Sequence, residues 1–240
     1  MIRSILMVAV VAVLAACQTT NAKLDDISPQ GSILTGEYLT ANGRVKVPLP
    51  EGEWIVAGSG YRRVGYENPI EEVILVQVDD GTVIHYIEIR TDIAASPIGW
   101  KKSTFCERND IHYIKKISNV PAGSQDCWGI NHFRMTFTGK IPLYMEEART
   151  YIVDHKIRSP LNALAVEYRL ADKPHFLDVK YFFNPEADGF EPPKIAEWAT
   201  SDWHRDRVYM DPKKVAYIKK LKSWGEDWHT KVKAGFEGKQ

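Results

Sequence analysis

Two runs of β-branched residues meet at a tight turn, and no other feature restricts the fold of this chain as strongly. Val73 to Val78 and Thr82 to Arg90 flank Asp79-Asp80-Gly81. Glycine takes positive φ without steric cost, so Asp-Gly between such runs predicts a β-hairpin over Glu72 to Thr91. In its second arm Val83, His85, Ile87 and Ile89 share one face, and Ile84, Tyr86, Glu88 and Arg90 the other. His85 on the more apolar face reads as a core or cross-strand residue. One hairpin cannot stand alone in water, and the chain supplies further strands. Trp54 to Gly58, Ile111 to Ile117 and His132 to Thr138 are expected strands. Leu164, Val166, Tyr168 and Leu170 alternate, then Leu177, Val179, Tyr181 and Phe183, with a turn at Ala171 to Pro174. This is a second hairpin. Arg44 to Pro50 is edge-like, because Pro48 has no N–H for a ladder.

The period changes elsewhere. Tyr144, Ala148, Tyr151 and His155 recur at helical spacing after Ile141-Pro142, predicting a helix of about four turns that ends at Ser159-Pro160. Pro193 to Thr200 is read as a short helix. Asp211-Pro212 opens a long final helix with a capping carboxylate and a proline at its first position. Tyr217, Ile218, Leu221, Trp224, Trp228 and Val232 form its apolar arc, and Gly235 falls at the expected C-terminal cap. The order predicts one α+β domain over 37–237. Its mainly antiparallel sheet is packed by a mid-chain helix and a long C-terminal amphipathic helix. This layout loosely resembles the small sandwiches of photosystem extrinsic proteins and related bacterial lipoproteins.

At the start, Met1 to Ser4 carries one positive charge and Ile5 to Leu14 is an apolar run of ten residues. A bilayer span needs about 20, so this reads as a secretory signal. Leu14-Ala15-Ala16-Cys17 resembles the lipobox of bacterial lipoprotein precursors. The resemblance implies removal of residues 1–16 and a diacylglyceryl thioether on Cys17, with a third acyl chain on its freed amine. Several chains anchor a protein stably to a membrane where one does not. Gln18 stands where family members kept in the inner membrane often have Asp, which favours the periplasmic face of the outer membrane. Residues 17–36, polar and small, are expected to form a tether.

Export implies an oxidising compartment, so Cys106 and Cys127 are expected to form a disulfide. A metal site or a redox pair is the alternative. The chain has no C-x-x-C, and His112 and His132 lack zinc-finger spacing.

Residues suited to chemistry are few. With 31 basic and 31 acidic side chains the chain has no excess for a broad nucleic-acid surface. The seven lysines of the final helix spread around it and are interrupted by Glu226 and Asp227, so a solvated face is the better reading than a lipid-headgroup patch. Asp-Trp-His occurs at 202–204 and again at 227–229. Asp202 and His204 are groove candidates with Trp203 as a packing anchor, and His132 is a further acid–base candidate. In the second copy Asp227 and His229 are expected near solvent. The chain contains no G-x-S-x-G or H-E-x-x-H, Gly58-Ser59-Gly60 is ordinary loop chemistry, and Glu146-Glu147 reads as a helix surface. Catalytic, cofactor and metal residues are therefore expected to be absent. Seven Trp and eleven Tyr suit binding grooves. The expected function is a non-enzymatic binding or accessory role. Its partners would be the membrane, through Cys17, and an envelope protein or apolar ligand. The alternative is an envelope hydrolase whose site is assembled from Asp202, His204 or His132.

Overall fold

A computed structural model describes residues 27–64, 68–135, 140–193 and 197–239. The signal segment, Cys17 and the first part of the expected tether lie outside them, as do Thr136 to Thr138 of one expected strand.

The chain forms ten strands and two α-helices among the described residues: β1 (Ile33–Leu34), β2 (Glu37–Leu39), β3 (Lys46–Pro48), β4 (Trp54–Val64), β5 (Asn68–Asp79), β6 (Thr82–Asp92), β7 (Tyr113–Asn119), β8 (Gln125–Arg134), α1 (Leu143–Asp154), β9 (Asn162–Ala171), β10 (Phe176–Phe183) and α2 (Pro212–Phe236). Eight strands make one sheet in the order β1-β4-β5-β6-β10-β9-β8-β7, and β2 pairs only with β3. Every pairing is antiparallel. The α+β class expected from the sequence is the class observed, with a mid-chain helix and a long C-terminal helix.

The two helices cover opposite faces. Tyr144, Ala148 and Ile152 of α1 pack on Ala57, Val76, Tyr86, Ala165 and Phe182. On the other face Tyr217, Leu221, Val232 and Phe236 of α2 join Val73, Ile87, Trp128, Val166, Tyr168 and Val179, and the β2–β3 hairpin adds Tyr38 and Val47. Such a sheet, buried on both faces along β9, explains why Asn162 to Ala171 reads as a nearly continuous apolar run. Asp211 caps α2 by accepting from Lys213 N at 2.9 Å and Lys214 N at 3.4 Å, with Pro212 next. In the β5–β6 turn, Asp80 and Gly81 take φ of 44° and 64°, the mirror-image turn that hairpin twist favours.

Several expectations need correction. Ile33–Leu34, read as tether, pairs with Trp54 and Ile55 at the sheet edge, and Gln30 Nε2 donates to Ala57 O at 2.7 Å. The β5–β6 register shifts between Gln77 and Val78, which moves Val83 to the α1 face with Tyr86 and away from Ile87. The buried stripe of α1 is Tyr144, Ala148 and Ile152. Tyr151 stacks on His155 at its flank, with ring centroids 4.0 Å apart. The sheet begins seven residues earlier in β8 than alternation from His132 showed, at Gln125. Residues 197–200 are not helical. Helix α2 runs through Gly235 to Phe236, and Gly238, at φ 67°, takes the left-handed position after it.

Candidate histidine and tryptophan site

The expected cysteine pair is joined. Cys106, on a short 3-10 turn over Phe105–Glu107, bonds to Cys127 of β8, with Cα atoms 5.7 Å apart. Both are buried. The bridge ties the segment preceding β7 to the sheet, close to where His112 enters the ladder by donating its N–H to Ile130 O at 3.0 Å.

His132 lies near the far end of β8, on the face shared with Trp128 and Ile130. The connector between β10 and α2 crosses it. Trp198 stacks on the His132 ring at 5.1 Å and 12°. His132 Nε2 bonds Trp198 O at 3.0 Å, and Trp198 Nε1 donates back to His132 O at 3.3 Å. His204 meets both rings edge-on, at 4.7 Å from Trp198 and 5.6 Å from His132, and His112 lies 5.9 Å from His132. Two candidates far apart in sequence, His132 and His204, are thus brought together. The sequence reading missed His112 and Trp198 as members, because nothing in local spacing connects residues 112, 132, 198 and 204.

Asp202 and Trp203 diverge. Trp203 is buried against Phe190 and Tyr217, with Lys214 Nζ 5.3 Å above its ring. It is a core anchor. Asp202 turns outward, and its carboxylate lies 3.6 Å from Lys214 Nζ. Asp202 and His204 do line a groove: a cavity of about 550 Å³ bounded also by Asp206, Arg207 and Met210. A second cavity of about 860 Å³, with Phe190, Pro192, Pro193 and Thr200 on its wall, shares Asp202, Arg207, Asp211 and Lys214 with the first. The two run together along the start of α2.

Burial holds the His132 imidazole down to about 4, helped by the charges of His204 and Arg108 and opposed by the Trp198 carbonyl. His112 is also pushed down to about 4, by burial first and then by His132, with the Trp203 carbonyl acting the other way. Both rings are neutral at pH 7, since burial disfavours the charged form of a base. His204 Nδ1 accepts from Asp206 N at 3.3 Å. Among the described residues no hydrogen bond joins these rings to a hydroxyl or thiol. Nor is any group of three or more His, Cys, Asp or Glu arranged to hold a metal ion.

In the second Asp-Trp-His, Asp227 is exposed as expected, while His229 is half-buried: it stacks on Tyr168 at 6.0 Å, and its Nε2 bonds Asp126 Oδ1 at 2.7 Å. Lys233 completes the group at 2.7 Å from Asp126 Oδ2. A second polar assembly was also missed. On the α1 face of the sheet, Glu72, Arg90, Asp178 and Arg169 are cross-strand neighbours in one row, and Glu88, Lys180 and Glu167 in the next. Lys180 Nζ donates to Glu88 at 2.9 Å, as does Tyr144 Oη at 2.8 Å. Burial pushes the Glu167 carboxyl up to about 7 against the pull of Lys180. Charged residues at alternate positions of β6, β9 and β10 were the available signal, but their partners depend on strand order.

The sequence matches no family model and no curated protein. Among solved structures, the effector-binding domain of the B. subtilis trehalose repressor is similar over 60% of this chain and 96% of its own, at 14% identity and a TM-score of 0.31.

Proposed function

We propose that this protein is a membrane-anchored cell-envelope lipoprotein whose α+β domain has a non-enzymatic binding or accessory role. The observation that carries this reading is the closed Cys106–Cys127 bond in the folded domain. A disulfide of this kind belongs to an oxidising compartment, the same destination that Leu14-Ala15-Ala16-Cys17 implies. Among the described residues no helix is long and apolar enough to cross a membrane. The anchor in this reading is the set of acyl chains on Cys17 that the lipobox resemblance implies. The location favoured is the periplasmic face of the outer membrane. The groove along the start of α2 is the surface proposed to meet an envelope protein or apolar ligand. Its walls carry Phe190, Pro192, Pro193 and Met210 beside charged groups, the mixture of apolar area and placed polar groups that binding clefts show. The hydrolase alternative finds less support: His132 bonds a backbone carbonyl and Asp202 faces Lys214.

Metabolic labelling with palmitate tests the anchor. The wild-type chain is expected to label and to float with membranes, and Cys17→Ala to lose both. A Cys17→Ala chain that still labels and floats would sink the proposal.

A further inference from the structure

His112 and His132 share an arrangement that their sequence spacing did not reveal. His132 donates Nε2–H to the Trp198 carbonyl at 3.0 Å. The Trp203 carbonyl favours the N–H of His112. The other nitrogen of each ring, His132 Nδ1 and His112 Nε2, is buried without a hydrogen-bond partner. A neutral imidazole held as a donor at one nitrogen keeps its lone pair on the other. Metal-ligating histidines show this pattern: a backbone carbonyl fixes the tautomer and aims the free nitrogen. Here two such rings are neighbours, with centroids 5.9 Å apart.

We propose that His112 Nε2 and His132 Nδ1 bind one late transition-metal ion of low coordination number, with cuprous ion as the best match. Imidazole suits copper and zinc. The donor set here is two imidazole nitrogens, with no thiolate or carboxylate. Zinc sites in proteins are almost always four-coordinate, and two nitrogens fall short of that number. His204 has committed Nδ1 to the Asp206 N–H, leaving the pair as the protein's ligands. A cavity of about 570 Å³ with His112 and Arg205 on its wall provides the approach. The inference rests on the fold and not on the envelope reading, so it stands if Cys17 carries no lipid.

The test uses the full-length chain with Cys17→Ser, so that no free thiol competes, in detergent and with the disulfide closed. Cuprous ion is titrated anaerobically against the chelator bicinchoninate. One equivalent is expected to be withdrawn by the parent chain. His112→Gln and His132→Gln are each expected to weaken binding at least 100-fold, and His229→Gln to leave it unchanged. Zinc(II), titrated in parallel, is expected to bind more weakly. Failure of the parent chain to withdraw copper, equal affinity in the His112→Gln/His132→Gln double variant, loss in His229→Gln, or tighter zinc binding would each overturn the proposal. If near-UV circular dichroism shows that the Gln variants are misfolded, X-ray absorption of the copper-loaded parent decides. Two nitrogen scatterers near 2.0 Å are expected, and sulfur or a four-ligand shell would refute the site.

Discussion

At Gly225 the side chain that is missing matters more than any present nearby. An added Cβ would lie 2.7 Å from the Trp128 ring and 2.9 Å from Val166 Cγ1. A glycine inside a helix normally costs about 1 kcal/mol relative to alanine. Overpacking a closed contact costs about 1–3 kcal/mol, and here the obstacle is a buried indole that cannot move aside. Gly225→Ala is therefore expected to lower stability by up to about 2 kcal/mol in urea unfolding; an increase would mean that α2 is free to lift from the sheet. Glu167 makes a pH-dependent statement. Its folded carboxyl titrates near 7, above its ordinary 4.5, so the folded chain holds this proton more tightly than the unfolded one. That contribution is full below pH 4.5 and is lost as pH rises through 7. Glu167→Gln keeps the neutral form at every pH. It is expected to gain on the parent by on the order of 2 kcal/mol between pH 4.5 and 7.5, after allowance for Lys180 and solvent screening. Unfolding midpoints at both pH values check this, and a constant difference between the two chains would contradict it. Of the two readings alternation offered for His85, core or cross-strand, the second holds: the ring is half-buried between neighbouring strands. It bonds Gln77 Oε1 at 2.9 Å and meets Phe183 edge-on.

Elements were legible where a local rule decides them. The β5–β6 turn, the β9–β10 hairpin and the proline-started α2 depend on backbone sterics and short-range capping, which act over a few residues. Boundaries and faces were less so. The start of β8 at Gln125 contains Asp126, Cys127 and Gly129, a string without alternation, and it is a strand because β7 and β9 pair with it on both sides. The shift at Gln77 rotates the start of β6 by one face, a change that no single-strand pattern contains. The disulfide acts at this scale, because it joins the 3-10 turn to β8 across a separation of 21 residues. In the loop-entropy account such a link contributes about 3 kcal/mol. The Cys106→Ala/Cys127→Ala double variant is expected to lose about that much in urea unfolding at constant m-value. A loss under 1 kcal/mol would show that β7 and β8 hold the segment unaided.

For the molecule as a whole, the chain's alternating and helical periods and its turn residues were enough to determine an α+β domain with an antiparallel sheet and two covering helices. The two cysteines of the folded domain were enough to point to a bridge between them. Periodicity reports which side of an element is apolar, and that is a property of neighbours in sequence. Strand order, the placement of α1 and α2 on opposite faces, and the path of the connector over β8 were decided only in three dimensions. The histidine site belongs to that second class. His112, His132, Trp198 and His204 come from the approach to β7, the end of β8 and two points on the connector, and each alone resembles an ordinary polar or aromatic surface residue. They meet because β8 lies beside β7 at the sheet edge and the chain must cross that edge to reach α2. Burial then removes water from the two inner rings and keeps them neutral, an effect of the packed environment that the identity of a histidine does not carry by itself.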